Sequence, residues 1–397
     1  RYERGLLDPD AAPGTSLFDH SIWVICSDGD LQEGVSGEAS SLAGTQALGN
    51  LNVIYDDNRI SIEGDTHVAF TEDVSARYRA YGWEVIEVPA KSNGDVDLVA
   101  LDKAMTTATK NLERPTLIRL KSVIAWPAPN ARGTAESHGS ALGIEEIAAT
   151  KKELGLNPEE HFAFPSDLLQ HSRLVKERGA QKHAMWNEKF KDWEKQNPEN
   201  ARLLSRIISG ELPKDWDSLI PTFESGKDVA TRKASGDVIN ALAKKLPEMW
   251  GGSADLAGSN NTTIESGGSF LPSQSQMKNA NPYGRVIHFG IREHAMGSIL
   301  NGIALSGLTK AFGGTFAVFS DYMRPAVRLA ALMKLPSIFI WTHDSIGLGE
   351  DGPTHQPVEH FAALRAIPDF DVIRPADANE VAAAWRIIIE RKKACGM

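Results

Sequence analysis

Acidic and amide side chains follow two predicted strands, at the point where each strand ends. Asp28 lies two residues after the apolar segment 22–26, and Asn58 lies three residues after the apolar segment 51–55. A segment rich in small residues separates them, which indicates a strand–helix–strand unit with parallel strands. Because ligands bind at the carboxyl edge of such sheets, Asp28, Asn58 and a backbone carbonyl of residues 58–60 are expected to converge there.

Such a set of groups suits a hard divalent cation. Carboxylate, amide and carbonyl oxygens are the ligands that Mg²⁺ and Ca²⁺ take in proteins, and phosphate oxygens complete the shell. An ordinary structural role is equally compatible with the spacing, because Asp-Gly at 28–29 and Asp-Asn at 57–58 are also common turn residues. The spacing by itself leaves both interpretations open.

Length and composition limit the classes of protein to consider. The 397 residues, 42% hydrophobic and 24% charged, exceed the size of one core and predict two domains. No apolar run approaches the roughly 20 residues that span a bilayer, and a net charge of −10 argues against nonspecific nucleic-acid binding. The two cysteines, Cys26 and Cys395, fit a cytoplasmic protein in a reducing compartment.

Both ends of the chain suggest a longer protein. Residue 1 is Arg, and the chain stops at residue 397 soon after a helical pattern. We therefore expect a fragment that lacks both ends.

The first half of the chain alternates predicted strands and helices. Further strands are expected at residues 83–88 and 116–124, with a helix near 97–112 between them. Residues 144–215 are charged and helical in pattern, which indicates a solvent-facing connector more than a domain core.

A second alternating pattern begins near residue 230. A helix is expected over residues 235–245 and another from about Glu293, with strands near 286–290, 337–341 and 371–377. The predicted fold class is α/β, with two parallel-sheet domains joined by a helical connector. The expected boundaries are 1–195 for the first domain, 196–229 for the connector and 230–397 for the second domain.

Several motifs resemble those of one enzyme family. The segment SDGD, followed after 27 residues by Asn58, resembles the diphosphate and metal motif of thiamine-diphosphate enzymes. Six longer segments resemble transketolases, in the same order and at sensible separations: SLAGTQALGNLNVIYDDNRISIEG, RKASG, GGSADLAGSNNT, FGIREHAMG, GGTFAVFSDYMRPAVRLAALM and THDSIGLGEDGPTHQP. The resemblance covers residues 20–385 and is strongest with bacterial, actinobacterial-type members.

This resemblance implies an activity and its cofactors. A transketolase transfers a two-carbon ketol unit from a ketose phosphate, such as xylulose 5-phosphate, to an aldose phosphate in the pentose phosphate pathway. Thiamine diphosphate would be the electron sink, and the protein would orient it and shuttle protons. The implied metal is Mg²⁺, for which Ca²⁺ or Mn²⁺ could substitute. Both domains would then be of the thiamine-diphosphate-binding type, one for the diphosphate and one, incomplete at its C-terminus, for the pyrimidine.

The resemblance also assigns cofactor contacts. A glutamate in the first turn of a helix complements the helix dipole, but by resemblance Glu293 pairs with the aminopyrimidine ring. Phe316, Phe319 and Tyr322 recur every three residues like a core-facing helical stripe, but by resemblance they form the slot that stacks on that ring. The implied metal ligands are Asp28, Asn58 and the Ile60 carbonyl. The implied cofactor contacts are Asp28, Gly29, Asn58, Ile60, Ile62, His138, Asp255, Glu293, Phe316, Phe319 and Tyr322.

A glycine-rich loop near the C-terminus carries His343, Asp351 and His355. Their spacing matches no recognised zinc pattern and the loop has no thiolate, so a zinc site is not favoured. By resemblance the loop binds the sugar, with Arg232 and Ser259 at its phosphate. The implied substrate contacts are His138, Arg232, Ser259, His343, Asp351 and His355, and the implied catalytic residues are Glu293, His355 and His138.

The resemblance further implies a homodimer with active sites at the interface. Asp28 and Glu293 of one chain would then serve different active sites, and phosphorylated sugars would be the only other partners. Two departures from the family pattern are Ser27, where the motif usually has Gly, and Ala135, where many members have His.

Three alternatives remain open. Another thiamine-diphosphate enzyme is possible: a dihydroxyacetone synthase, a deoxyxylulose-phosphate synthase or a 2-oxo acid dehydrogenase subunit. A truncated, catalytically silent chain that binds only cofactor or partner subunits is a second alternative. A nucleotide-binding α/β module is the weakest, because no G-x-G-x-x-G or Walker segment follows a predicted strand.

Overall fold

The computed structural model describes residues 1–397, which form two compact units. The first unit is Ala12–Gln196, and the second unit combines Arg1–Ala11 with Asn197–Met397. The elements as far as Gln196 are α1 (Tyr2–Leu7), β1 (Ile22–Ser27), α2 (Asp28–Gln32), α3 (Gly34–Thr45), β2 (Leu51–Asp57), α4 (Val74–Ala80), β3 (Glu84–Val88), α5 (Leu98–Lys110), β4 (Thr116–Lys121), α6 (Ile144–Glu153) and α7 (Ser166–Gln196).

The rest of the second unit is built in the same alternating way. Its elements are α8 (Pro198–Ser209), α9 (Thr231–Ala243), β5 (Met249–Ser253), α10 (Ala257–Asn260), β6 (Ser269–Phe270), β7 (Ala280–Asn281), β8 (Val286–His288), α11 (Glu293–Ser306), β9 (Lys310–Phe316), α12 (Ser320–Leu332), β10 (Ile338–Thr342), α13 (His360–Arg365), β11 (Asp371–Val372), α14 (Ala378–Glu390) and β12 (Cys395–Gly396).

The sheet of the first unit has four parallel strands in the order β1-β2-β4-β3. Leu117 and Ile118, adjacent on the central strand β4, point to opposite faces and belong to two separate apolar clusters. Because all strands run the same way, their carboxyl ends share one edge, where Ser27 lies opposite Asp56.

Strand β1 is apolar in sequence but is not buried. Its residues are mostly exposed, and the side chain of Ile25 is 78% exposed. The sequence is apolar enough for a buried position, but β1 is the edge strand and pairs only with β2. Apolar composition predicts that a segment is a strand, while its place in the sheet decides how much of it is covered.

The sheet of the second unit has eight parallel strands in the order β11-β12-β10-β9-β5-β8-β6-β7. One apolar cluster of this unit contains Phe312 and Trp385, which are fully buried and contact edge to face, with ring centroids 6.3 Å apart. Two parallel-sheet α/β units are thus present, which confirms the predicted fold class. Strands β6, β7 and β12 were not predicted, because two residues are too short to show a pattern.

The boundaries between the units differ from the predicted ones. Residues 1–11 were assigned to the first domain, but they pack in the second unit: the Tyr2 ring stacks on Trp250 at 4.2 Å, and its hydroxyl donates to the Pro247 carbonyl. Residues 197–229 were assigned to a connector, but they too belong to the second unit, where Ile220 is buried in the core. These contacts join residues that are far apart in the chain, so no local pattern predicts them.

A buried ion pair joins helix α8 to the rest of the second unit. Both terminal nitrogens of Arg206 donate to the Glu248 carboxylate, at 3.0 and 2.9 Å, and Glu248 is 2% exposed. Lys310 lies close enough to interact with the same carboxylate, and burial holds the pKa of this lysine below its ordinary value. A buried, bidentate pair of this kind is costly to break from one side, because the remaining charge keeps its desolvation penalty.

Replacing Arg206 with methionine is therefore expected to lower the free energy of unfolding by about 3 kcal/mol. The matched control is Arg202→Met on the same helix, whose pair with Glu199 is exposed and 3.6 Å long. That control is expected to change the free energy by less than about 0.5 kcal/mol. Urea denaturation followed by tryptophan fluorescence measures both, and equal effects would contradict the assignment of Glu248 as a buried charge.

The helices do not have the character of membrane-spanning segments. The longest, α7, is 31 residues and carries charged side chains throughout. No helix of the structure combines the length and the apolar character that crossing a bilayer requires.

Candidate active site

The first unit brings Asp28 against the segment that contains Asn58. Asp28 is the first residue of α2 and is 2% exposed. Its Oδ1 accepts a hydrogen bond from the Tyr55 hydroxyl at 2.6 Å, and its Oδ2 accepts one from the Arg59 backbone N–H at 3.0 Å. Burial and the bond to Asp28 both raise the pKa of Tyr55, so its hydroxyl stays protonated as a donor. The two strand ends are therefore in direct contact.

The neighbouring acids, Asp30 and Asp57, have other partners within the chain. Asp30 accepts hydrogen bonds from the backbone N–H and hydroxyl of Ser27, at 2.8 and 3.0 Å, and so caps α2. Asp57, 1% exposed, is paired with Arg119 at 2.7 Å and Lys121 at 3.0 Å. Burial acts to raise the pKa of Asp57, but the bonds from Lys121 and Arg119 outweigh it and lower the pKa. Asp28 is thus the buried acid of this edge that no cation of the chain neutralises.

The segment after β2 presents two further oxygens. Asn58 Oδ1 accepts one hydrogen bond, from the Ile60 N–H at 2.9 Å, which leaves a lone pair free. The left-handed backbone of Arg59, with φ of 62°, turns the chain here, and Ile60 forms an isolated antiparallel bridge with Asp65. No hydrogen-bond donor of the chain reaches the Ile60 carbonyl oxygen. A carboxylate, an amide oxygen and an unpaired carbonyl fit a hard divalent cation such as Mg²⁺.

Other predicted residues of the first unit line its surface. A Cβ added to Gly29 would meet no atom within 4 Å, so the start of α2 leaves open space. Ile62 is 82% exposed, and His138 is exposed at the end of a short 3₁₀ turn. Neither side chain forms a hydrogen bond or an ion pair with Asp28 or Asn58. The thiol of Cys26 is unsuited to act as a nucleophile or ligand, because burial, together with Asp30, Asp28 and Asp56, raises its pKa to about 12.

The second unit gathers aromatic rings and histidines at the carboxyl edge of its sheet. Phe316 ends β9 and is 7% exposed, and Phe319 stacks on it with centroids 5.7 Å apart. His343 lies 4.1 Å from the Phe316 ring, and His355 lies 5.3 Å from the Phe319 ring. Tyr322, in the first turn of α12, is 65% exposed, so the three aromatics do not form a core-facing stripe.

Glu293 and the remaining predicted residues surround this edge. Glu293 begins α11 and is 8% exposed. Ser259 lies in α10, whereas Asp255, with φ of 63°, and Asp351 are exposed in loops. Glu293 and Asp255 therefore follow strands β8 and β5 on the same edge as the aromatic rings.

A hydrogen-bonded chain fixes His343. Its Nε2 is 3.0 Å from Arg232 Nη1 and its Nδ1 is 3.0 Å from Thr342 Oγ1. Because arginine can only donate, Nε2 accepts and Nδ1 carries the proton. Burial first, and the charge of Arg232 second, lower the pKa of His343, which agrees with a neutral ring.

Two residues of this edge, Asn260 and Arg374, were not found from the sequence. Asn260, fully buried, donates to Thr342 Oγ1 at 2.6 Å and to the Thr315 carbonyl at 3.2 Å, and accepts from the Ser253 hydroxyl. It thereby joins the ends of β5, β9 and β10. Arg374 donates to the side chain and the carbonyl of Asp344, at 2.7 and 3.1 Å, and so holds the residue after His343. Nothing local marks these residues, because their partners are distant in the chain.

A cavity of about 280 Å³ opens at the same edge of the second unit. Arg232, His343 and Arg374 line it, together with apolar residues that include Phe361 and Trp341. Asp344 also lines the cavity and is paired with Arg374, so Arg232 is the guanidinium of this concave site that suits an anionic group such as a phosphate.

Two family models together match most of the chain. Residues 1–213 match the transketolase thiamine diphosphate binding domain, and residues 227–396 match the transketolase pyrimidine binding domain. The chain belongs to the transketolase family. The earlier resemblance is thereby confirmed at the level of the family.

Individual transketolases are similar over the whole chain. The identity is 57% over 399 residues to the transketolase of Mycobacterium tuberculosis H37Rv, and 50% over 389 residues to that of Geobacillus stearothermophilus. These alignments cover 100% and 98% of this chain but only 56% and 57% of the relatives, so the chain spans a little over half of their length.

Solved transketolase structures share the fold. A Pichia stipitis transketolase in complex with sedoheptulose 7-phosphate matches with a TM-score of 0.93 and 42% identity, over 100% of this chain and 58% of that one. The transketolase of Campylobacter jejuni matches with a TM-score of 0.86 and 41% identity over the same shares. The arrangement of elements is therefore that of transketolases.

Proposed function

We propose that the protein containing this chain is a transketolase that moves a two-carbon ketol unit from a ketose phosphate to an aldose phosphate. The observation that carries the proposal is the contact of the buried Asp28 carboxylate with the Asn58–Ile60 segment, in a chain that matches both family domains. A sugar phosphate in a related structure, sedoheptulose 7-phosphate, supports the substrate class.

The first unit would hold the diphosphate and the metal. Asp28, Asn58 Oδ1 and the Ile60 carbonyl would bind Mg²⁺, with diphosphate oxygens as further ligands. The open space beside Gly29 leaves room for the phosphate groups, and Ile62 would pack near the thiazolium. Thiamine diphosphate, when bound, would supply a nucleophilic ring carbon and a thiazolium ring that serves as the electron sink.

The second unit would hold the pyrimidine ring of the cofactor. Glu293 would share a proton with a ring nitrogen, and its low exposure keeps water from competing for that bond. Phe316 and Phe319 would stack on the ring, with Tyr322 beside them. Asp255 would be a further contact to the cofactor.

Sugar recognition would use the histidines and the arginine of the same edge. Arg232, Ser259 and His343 would bind the phosphate, where the planar guanidinium gives a fork of donors. Asp351 would accept from a sugar hydroxyl, and His355 would contact the donor carbonyl. His138 would hold or move a proton near the reacting carbon from the first unit.

The decisive assay offers the complete gene product xylulose 5-phosphate and ribose 5-phosphate, with thiamine diphosphate and Mg²⁺, and in parallel pyruvate. Formation of a C7 ketose phosphate without pyruvate decarboxylation is the expected result. Decarboxylation of pyruvate instead would favour a 2-oxo acid enzyme. Cofactor binding without either reaction would favour a catalytically silent chain.

The active sites are proposed to lie between two copies of the protein. Each copy would give Asp28 to one site and Glu293 to the other, as the family resemblance implies. Mixed dimers that combine an Asp28→Asn copy with a Glu293→Gln copy would then have one intact site and one doubly altered site. Isolated through two different affinity tags, they are expected to retain about half of the wild-type activity.

The mixed dimer also distinguishes active sites shared between two copies from active sites formed within one copy. If Asp28 and Glu293 of one copy served the same site, every site of the mixed dimer would carry one substitution. Its activity would then stay at the level of the two parent variants.

A further inference from the structure

The Asn58 side chain lies between one fixed acceptor and one fixed donor. Its Nδ2 donates to Asp56 Oδ2 at 3.2 Å, and its Oδ1 accepts from the Ile60 backbone N–H at 2.9 Å. The two contacts define which end of the amide points to which neighbour. This matters because only the oxygen of an amide binds a hard cation.

Asp56 is itself held from the neighbouring strands. It lies opposite Ser27 on β1 and opposite Leu120 on β4. Its Oδ1 accepts a short hydrogen bond from the hydroxyl of Ser122, the residue that follows β4. The carboxylate therefore has one oxygen fixed by Ser122 and offers the other to Asn58.

The opposite orientation of the Asn58 amide is disfavoured at both ends. It would place the amide oxygen against the Asp56 carboxylate, which can only accept, and the amide NH₂ against the Ile60 N–H, which can only donate. Two good hydrogen bonds would become two repulsive contacts. Asp56 and Ile60 thus leave a single orientation, in which the free lone pair belongs to oxygen.

We infer that Asp56 is a positioning residue for the metal site, because it fixes the Asn58 amide with its oxygen available to the cation. The inference rests on the proposed function, in which Asn58 is a metal ligand. Asp56 acts through Asn58 and is not itself a ligand. Partners that orient ligands in this way typically change metal affinity by about 10–100-fold when removed.

The test measures Mn²⁺ binding to the complete gene product by electron paramagnetic resonance, in the presence of saturating thiamine diphosphate. Asp56→Ala removes the acceptor and is expected to weaken Mn²⁺ binding by about 10–100-fold. Asp56→Asn keeps an acceptor oxygen for Asn58, and its NH₂ can donate to the Ser122 hydroxyl. That variant is expected to stay within about threefold of the wild type, because the amide contact is retained.

Comparison of Asp56→Ala with Asp56→Asn separates the effect of the Asn58 amide orientation from the effect of the negative charge at residue 56. Equal weakening by Asp56→Ala and Asp56→Asn would show that only the negative charge matters, and an unchanged affinity in Asp56→Ala would show that Asp56 has no role; either result overturns the inference. Circular dichroism verifies the fold of each variant.

A second variant covers the case in which Asp56→Ala does not fold. Ser122→Ala loosens Asp56 without changing any charge and is expected to weaken Mn²⁺ binding in the same direction, so an unchanged affinity would count against the inference. Absence of cofactor-dependent Mn²⁺ binding in the wild type would instead contradict the metal site of the proposed function, and the inference with it.

Discussion

We expect Glu293→Gln to lower the turnover of sugar phosphates by about 10²–10⁴-fold, which is the usual loss when a general acid–base group is removed. Glutamine preserves the size and much of the hydrogen bonding of the side chain, but it cannot share a proton with the pyrimidine. The position is 8% exposed, so water does not readily take over this role. Steady-state kinetics with xylulose 5-phosphate and ribose 5-phosphate measure the effect.

The Glu293→Gln variant should lose turnover but retain cofactor binding. The diphosphate and metal contacts belong to other residues, so metal-dependent cofactor binding, followed by quenching of tryptophan fluorescence, should remain close to wild type. Glu265→Gln, at an exposed position of the same unit, removes an equal charge and serves as control. Near-normal turnover of Glu293→Gln would contradict the role proposed for this carboxyl group.

Asp28→Asn is expected to weaken the binding of Mg²⁺ and cofactor by on the order of 10²-fold or more, equivalent to about 3 kcal/mol. Asparagine can still accept from Tyr55 or from Arg59, but it lacks the charge that attracts the cation. Isothermal titration of thiamine diphosphate at fixed Mg²⁺ concentrations measures the change. Activity should fall in parallel and recover in part at high concentrations of both.

The control for this prediction lies two residues away. Asp30→Ala removes an acid from the same loop, but Asp30 caps α2 instead of facing the Asn58 segment. Its loss is expected to cost about 1 kcal/mol of stability and to leave the affinity for Mg²⁺ nearly unchanged. If Asp30→Ala weakened the metal as strongly as Asp28→Asn, the acids would act only through the net charge of the loop.

The two large effects differ in kind. Asp28→Asn should remove binding, and the chemical step with it, whereas Glu293→Gln should remove the chemical step and leave binding. A protein that only binds the cofactor would show the first effect and not the second. Together the two variants therefore distinguish an enzyme from a silent chain.

The order of the elements could be read from the sequence. Short apolar segments alternate with helical patterns, and such alternation leaves few arrangements other than parallel sheets with helices on their faces. The same rule placed Asp28 and Asn58 on one edge, because parallel strands end on the same side. Both follow from local periodicity and chain direction, which a sequence contains in full.

The burial of side chains and their hydrogen-bond or ion-pair partners could not be predicted from the local sequence. Four aspartates stand at strand ends in similar local sequence, yet their partners differ. Asp28 accepts from a buried tyrosine and Asp30 caps a helix. Asp56 orients an amide, and Asp57 neutralises Arg119 and Lys121. Each role depends on a side chain or strand brought in by the fold.

By itself, then, the sequence determined the class of fold, the edge at which ligands would bind and, through its motifs, the family. Only the tertiary structure decided that β1 is an exposed edge, that residues 1–11 pack beside Trp250 and that Asn260 joins three strand ends. The physical reason is range: periodicity and turn chemistry act between neighbours in the chain, whereas burial and hydrogen-bond partners are set by residues up to hundreds of positions away.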